Sequence, residues 1–263
     1  MTEVISPLLR HKAPDEPSVF IPEALLREAR RQKDLPDSPV PGICVLDPDG
    51  DIVRHLRRTG LSRRVEAWSC YHSEMQAFTL GGREIGIVGC AVGAPYAVLI
   101  AEQMFAAGCK MLISITSAGQ ITPLGPPPYF VVIDRALRDE GTSHHYLPPS
   151  EFIDAAQEVV AEAVEALRAD GTPVHVGATW TTDAPFRETQ RAIDAARGKG
   201  ALAVEMEAAA LYAFARARGR TVLCLAHVTN NMAQAGEDFE KGIDNGARDS
   251  LRVIAALTRK LGA

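Results

Sequence analysis

Apolar, β-branched runs alternate with amphipathic helical patterns along this chain, and that alternation most constrains its fold. Several runs are almost continuously apolar, as expected for strands buried on both faces. Predicted strands span 43–46, 75–80, 84–91, 111–116, 129–134, 174–181, 201–204 and 221–227. Predicted helices span 22–32, 94–107, 150–169, 187–196, 207–218 and 247–261. Short links between them predict a single three-layer αβα domain with a central mixed, mostly parallel sheet.

The chain of 263 residues is long enough to bury the core of one such domain. Residues 1–41, rich in proline and charge, are predicted to form an N-terminal arm ahead of the domain at 42–263. The N-terminus lacks the basic start and apolar core of a signal peptide. The uncharged run 85–101 approaches the length of a membrane span, but glycine and proline interrupt it. We therefore expect a cytoplasmic protein without a membrane partner.

Charge and cysteine content exclude two classes of function. The formal net charge is -5, and basic residues are dispersed apart from a cluster around a predicted turn. The cluster consists of Arg54, Arg57, Arg58, Arg63 and Arg64. A nucleic-acid-binding protein more often has a dominant basic face, so no nucleic-acid partner is expected. The five cysteines include no CxxC pair and are expected to be reduced, buried thiols rather than disulfides or zinc ligands.

The motif Glu205-Met206-Glu207 lies where the run 201–204 gives way to an alanine-rich helix. Two carboxylates beside an apolar side chain suit the vicinal hydroxyls of a sugar. A structural explanation also fits, because glutamate is favoured in the first turn of any helix and methionine is a common core residue.

Two turns place small and hydroxyl residues where a ligand could approach the backbone. The turn ending at Gly93 opens a helix, whose N-terminal amides suit an anion, although its spacing matches neither a P-loop nor a dinucleotide fingerprint. Thr116 and Ser117 end the following strand and offer hydroxyl donors. Tight structural turns and capped strand ends explain these residues equally well.

The stretch from Arg138 to Tyr146 packs charge, hydroxyl and imidazole groups into one loop. Adjacent histidines such as His144 and His145 seldom point at one ion and no further ligand lies at useful spacing, so no metal site is expected. A site wall or a subunit contact is favoured instead. The chain has no GxSxG elbow, which argues against an α/β-hydrolase triad.

Together these motifs resemble the nucleoside phosphorylase superfamily, in its uridine phosphorylase and hexameric purine nucleoside phosphorylase branch. In that family the methionine lies against the sugar and the second glutamate binds ribose hydroxyls. The resemblance therefore implies ribose binding by Glu205, Met206 and Glu207, with Glu207 catalytic. It also implies a phosphate or nucleophile pocket formed by Gly93, Thr116, Ser117 and Arg138.

The segment after Trp180 corresponds to the part of the family that covers the base. By resemblance Phe186 stacks on the base. The residues that would hydrogen-bond to the edge of the base are Arg187, Glu188, Gln190, Arg191 and Asn230. A structural alternative is that Thr182 or Asp183 caps a helix while the charged residues are solvated.

The sequence departs from the family where phosphate binds. The family's Gly-Asp-Pro-x-Arg segment reads LDPDG at residues 46–50, a second expected arginine is Ser114, and a third falls near Tyr71 or His72. The planar, charged guanidinium of arginine can donate two parallel hydrogen bonds to phosphate, so it binds phosphate far better than hydroxyls do. Either Arg54, Arg138 or Arg187 replaces this clamp, or water is the nucleophile. The family's acidic aspartate corresponds to Asn230, which cannot act as a general acid.

The resemblance implies cleavage of a ribonucleoside, either uridine or an oxopurine nucleoside, to free base and ribose 1-phosphate. Phosphate would be the co-substrate, and no other cofactor is expected. A nucleosidase that uses water and a non-catalytic nucleoside-binding homologue are the alternatives. The resemblance also implies a homo-oligomer, either a dimer or a hexamer built as a trimer of dimers.

Overall fold

The computed structural model describes residues 6–232 and 239–261. Within them the strands are β1 Ile43–Asp47, β2 Ser62–Arg64, β3 Gln76–Leu80, β4 Arg83–Gly89, β5 Met111–Gln120, β6 Tyr129–Asp139, β7 Phe152–Asp154, β8 Val174–Thr182, β9 Ala201–Glu205 and β10 Thr221–Asn230. The helices are α1 Pro22–Lys33, α2 Asp51–Arg58, α3 Ala94–Ala106, α4 Gln157–Ala169, α5 Gln190–Gly198, α6 Ala208–Arg218 and α7 Ala247–Leu261. Short 3-10 turns occupy Pro7–Leu9, Thr142–His145 and Pro185–Arg187.

All of the strands belong to one mixed sheet. β1 pairs in parallel with β4 and β5, and β5 pairs in parallel with β10. β6 runs antiparallel to β10 and is followed by β8 and β9 in parallel. The end of β9 then pairs antiparallel with the end of β5, where Val204 lies opposite Gly119. The mixed α/β fold predicted from the sequence is confirmed, and β5, β10, β6, β8 and β9 additionally close into a ring.

The ring exists because several strands are longer than their apolar runs. β5 continues through polar residues to Gln120, and β6 continues to Asp139. Backbone pairing with neighbouring strands extends these strands beyond the stretch that hydrophobicity alone predicts. As a result, the ends of β5 and β9 meet, and the chain segments that follow them converge on one place.

Six of the helices in the described residues pack against the sheet in two groups. One group is α1, α3 and α6, and the other is α2, α4 and α7, whereas α5 packs beside β9. α6 is buried from Ala208 to Ala215. Its small alanine side chains allow this helix to pack closely against α3 and the sheet. α1 lies in the predicted N-terminal arm, yet its Leu26 is 1% exposed and belongs to the main core. No helix of the described chain is long and apolar enough to span a membrane.

Three predicted elements differ in the structure. The helix predicted at 150–169 begins at Gln157, because residues 152–154 form β7 and pair with β6. The helix predicted at 187–196 begins at Gln190, where the Thr189 hydroxyl accepts a hydrogen bond from the Ala192 amide. The predicted turn holding the arginine cluster consists of α2, β2 and the link between them. Local periodicity did not separate these short elements from their neighbours.

Candidate active site

The candidate site forms where β4, β5 and β9 end. β4 leads through a turn to Gly93, which precedes α3 with a φ of 90° that favours glycine. β5 brings Thr116 to the same place, and β9 leads directly into Glu205 and α6. The antiparallel meeting of β5 and β9 therefore joins motifs that are far apart in the sequence.

Glu207 is the buried carboxylate at the centre of this site, with 1% of its surface exposed. Its Oε1 accepts a hydrogen bond of 2.7 Å from the Gly93 amide. The Thr116 hydroxyl also donates to this carboxylate, and the Met206 amide lies 3.3 Å from Oε2. Burial, followed by the charge of Glu205, raises the pKa of Glu207 to about 8. Three of the predicted site residues, Gly93, Thr116 and Glu207, are thus brought into direct contact.

Glu205 is the last residue of β9, and its side chain binds the backbone amides at the start of α6. Its Oε2 accepts hydrogen bonds of 2.7 Å from the amides of Glu207 and Ala208. Its Oε1 accepts from the hydroxyls of Thr179 and Thr181 on β8. Burial raises the pKa of Glu205. Both oxygens therefore accept hydrogen bonds from the protein itself, and ribose binding by Glu205 stays a prediction.

Met206 lies between the two glutamates and is half-buried. Its position in the turn from β9 to α6 keeps it beside Glu207 while leaving part of its surface accessible. The apolar surface that the sequence motif predicted beside the carboxylate is therefore available to a ligand.

Asn230 is buried at the end of β10, opposite Gly119, where the register of β10 shifts relative to β5. Its Oδ1 accepts a hydrogen bond of 2.9 Å from the Met232 amide. A Cβ at Gly119 would lie 3.3 Å from that oxygen and would overlap the Met232 sulfur, so a larger residue there would have to displace the Met232 side chain. The irregular pairing directs Asn230 toward the edge where β5 meets β9.

Arg138, which the sequence predicts in the phosphate pocket, is bonded to its own loop in this structure. Its guanidinium donates to the Ser143 and Ser150 hydroxyls at 2.9 and 2.7 Å and to the carbonyls of Pro148 and Leu147 at 2.7 and 3.2 Å. Burial lowers its pKa. Every branch of the guanidinium is thus used to hold the loop at 142–150.

The segment predicted to bind the base lies at the surface. Phe186 is 99% exposed, and Arg187, Gln190 and Arg191 are also exposed. Glu188 is half-buried, and this burial raises its pKa to about 7. The segment is tied to the neighbouring loop through the Gly141 amide, which donates to Asp183 at 2.8 Å. No hydrogen bond joins residues 185–191 to Glu207 within the described ranges.

Asp49 is a site residue that the sequence reasoning did not select. The Ser117 amide donates to its Oδ2 at 3.0 Å, and Lys241 lies 3.7 Å from the same atom. Lys241 also pairs with Asp51 at 2.8 Å. Asp47 caps α2 through the amides of Gly50 and Val53, and burial raises its pKa to about 7.

The sequence signal for this acidic group was the alternation of aspartates at 47, 49 and 51 after β1. A carboxylate holds the amide of Ser117, which was predicted to serve the phosphate. In the part of the chain that the structure describes, no group of three or more His, Cys, Asp or Glu side chains is placed to hold a metal ion.

Comparison with known proteins gives consistent matches. A sequence profile described as "Phosphorylase superfamily" matches residues 43–259. The guanosine phosphorylase of Halorubrum lacusprofundi is 26% identical over 184 residues, covering 67% of this chain and 75% of that protein. The uridine phosphorylase of Thermococcus kodakarensis is 27% identical over 217 residues, covering 72% of this chain and 78% of that protein.

Solved structures show the same fold. The crystal structure of uridine phosphorylase from Vibrio fischeri ES114 superimposes with a TM-score of 0.71. The match covers 87% of this chain and 95% of that one, at 20% sequence identity. The likeness extends over most of the domain.

Proposed function

This chain belongs to the phosphorylase superfamily, and on that premise we propose that it is an enzyme that cleaves the N-glycosidic bond of a nucleoside. The observation that carries the proposal is the buried Glu207 carboxylate, held by the Gly93 amide and the Thr116 hydroxyl next to half-buried Met206. A carboxylate beside an apolar surface matches the vicinal hydroxyls and carbon face of a ribose. The relatives' names, which specify guanosine and uridine phosphorylases, support the same substrate class.

Cleavage of this bond develops positive charge on the sugar ring and negative charge on the departing base. Glu207 would accept hydrogen bonds from the ribose hydroxyls and stabilise the cationic ring as it forms. Glu205 acts through Glu207, because it fixes the start of α6 and with it the Glu207 backbone. Asn230 offers an amide to the base edge, and Phe186 offers an aromatic face.

Two nucleophiles are compatible with this cleavage. Transfer to phosphate, giving ribose 1-phosphate, is the first candidate because the named relatives are phosphorylases. Hydrolysis is the second, and one specific observation favours it: the Asp49 carboxylate holds the Ser117 amide, where phosphate was expected.

The finer assignments extend this proposal. The amide of Asn230 can both donate and accept, which suits uridine or an oxopurine nucleoside better than a base that needs protonation. A homo-oligomer, as a dimer or a trimer of dimers, and a cytoplasmic location are proposed from the family resemblance.

The test is to incubate the purified chain with a panel of ribonucleosides and to follow free base. Release from at least one nucleoside supports the proposal, and its loss in Glu207→Ala locates the activity at this site. Binding of nucleosides without any release would instead support a non-catalytic binding protein.

A further inference from the structure

A cavity of about 500 Å³ lies beside α3, and Glu207 is not among the residues that line it. Its walls come from α3, the end of α6, the 3-10 turn Thr142–His145 and the segment that leads into α1. Small-molecule sites in proteins range from roughly 300 to 1,000 Å³, whereas one water molecule needs only about 10–15 Å³. The cavity therefore has the size of an organic ligand.

Most of the cavity wall is apolar. Phe20 and Leu25 line it from the N-terminal segment and α1, and Val98 and Leu99 line it from α3. Phe20 is 72% exposed and Leu99 is 39% exposed, although both side chains are large and apolar. A ligand that covers this surface gains free energy in proportion to the apolar area that it removes from water. The body of the ligand is therefore apolar.

Gln103 adds an unsatisfied hydrogen-bond acceptor to the α3 wall. This residue is 2% exposed, and its Nε2 donates to the Leu99 carbonyl at 3.1 Å. Its Oε1 has no hydrogen-bond partner among the described residues. A buried amide oxygen without a donor is costly, and an N–H group of a ligand that reaches this oxygen removes the cost. The ligand therefore carries a hydrogen-bond donor.

The charged groups of the cavity balance one another. The Tyr146 hydroxyl donates to Oε1 of Glu102 at 3.0 Å, and Nε of Arg218 lies 3.6 Å from the same oxygen. Burial lowers the pKa of His145, so its imidazole is uncharged at neutral pH. The lining thus contains one carboxylate and one guanidinium that already pair, which favours a neutral ligand. The guanidinium has five N–H donors, so it can also donate to a carbonyl of the ligand.

Two elements connect the cavity to the candidate active site. Pro95 lines the cavity two residues after Gly93, whose amide binds the central carboxylate. Thr142 lines it next to Gly141, whose amide donates to Asp183 in the segment predicted to cover the base. A ligand that packs against both elements restrains the start of α3 and this loop together, so its binding and that of the nucleoside affect each other.

We propose that this cavity is a second small-molecule site, and that it binds a neutral, flat lactam heterocycle of the kind that the proposed cleavage releases as free base. A lactam has an N–H group beside a carbonyl, which matches the Gln103 oxygen and the Arg218 N–H groups. Its ring faces match the apolar wall. The choice of a free base as ligand rests on the proposed N-glycosidic cleavage. Binding at this second site makes the free base a regulator of its own release.

The first experiment titrates the wild-type chain with uracil and with hypoxanthine by calorimetry, without nucleoside. We expect two sites per chain for at least one of these bases. Gln103→Leu should weaken one site by about tenfold, because it removes the acceptor. Gln157→Leu, the same change at an exposed position on α4, should leave both sites intact. A single site per chain, or two sites that Gln103→Leu leaves unchanged, overturns the inference. If Gln103→Leu fails to fold, Leu99→Trp fills the cavity from a partly exposed position and should abolish the same site.

The second experiment uses 1,3-dimethyluracil and 1,7-dimethylhypoxanthine, which retain the ring and carbonyl but lack an N–H donor. Neither should bind at the second site, and affinities equal to those of the unmethylated bases contradict the hydrogen bond to Gln103. Base release from a nucleoside combined with a single base site per chain overturns this inference alone. Two base sites without release from any nucleoside overturn the proposed cleavage and leave the cavity as a binding site.

Discussion

At the scale of the residue, the two glutamates of one motif have different environments and therefore different roles. Glu205 accepts hydrogen bonds from two backbone amides and from threonine hydroxyls. Glu207 accepts hydrogen bonds from the Gly93 amide and the Thr116 hydroxyl, and it lies beside half-buried Met206. The sequence shows two equivalent carboxylates. Only their hydrogen-bond partners distinguish the carboxylate that holds the start of a helix from the one proposed to bind a sugar.

The pKa of Glu207 predicts how the rate depends on pH. Because this pKa is raised to about 8, the side chain is mostly protonated below that pH and accepts sugar hydroxyls best when ionised above it. We expect kcat/KM to rise with pH through about 8, since this parameter reports the free enzyme. Glu207→Gln removes the rise. Glu188→Gln is the control, because Glu188 has a pKa of about 7; loss of the rise in that variant alone would assign the titration to Glu188.

The same group also affects stability. The unfolded chain ionises Glu207 near its ordinary pKa of 4.5, whereas the folded chain retains the proton up to about 8. The free energy of unfolding therefore falls as pH rises between these values. Glu207→Gln removes this loss, so between pH 4.5 and pH 8 the difference in the free energy of unfolding shifts toward the variant by a few kcal/mol, at about 1.4 kcal/mol per pKa unit. Urea unfolding of wild type and Glu207→Gln at both ends of the pH range measures this change. A difference in the free energy of unfolding that stays the same at both pH values would contradict the raised pKa of Glu207.

At the scale of the element, Arg138 predicts a stability effect without a phosphate effect. Arg138→Met leaves several buried acceptors unpaired in the loop at 142–150 and should lower the free energy of unfolding by about 3 kcal/mol or more. Arg191→Met, at an exposed position, should change it by less than about 0.5 kcal/mol. Chemical denaturation compares the two. If Arg138→Met leaves the free energy of unfolding unchanged and weakens phosphate binding, Arg138 instead belongs to a phosphate-binding pocket.

At the scale of the whole molecule, α1 is expected to be part of the cooperative fold. Leu26 is 1% exposed and packs in the main core, so Leu26→Ala should cost about 2–5 kcal/mol. Val19→Ala, at a fully exposed position in the same N-terminal region, is the control. Urea unfolding should show one transition, shifted only by Leu26→Ala. An unshifted transition would mean that residues 1–41 form an independent arm.

The sequence by itself determined the mixed α/β fold, most element positions and the placement of Glu205-Met206-Glu207 at a strand-to-helix junction. These features follow from local periodicity and from the chemistry of neighbouring residues, which the sequence displays directly. The predicted helix at 150–169 was partly wrong because β7 is defined by its pairing with β6, a partner that periodicity within one segment does not reveal.

The tertiary structure alone decided which predicted residues meet. In the folded chain Asp49 accepts a hydrogen bond from the amide of Ser117, 68 positions away. The guanidinium of Arg138 donates its hydrogen bonds to its own loop. The tertiary structure also closed five strands into a ring, so that β5 and β9 bring Thr116 to Glu207. Such outcomes depend on long-range backbone pairing and on competition among buried polar groups for partners, and both arise only when the whole chain is packed.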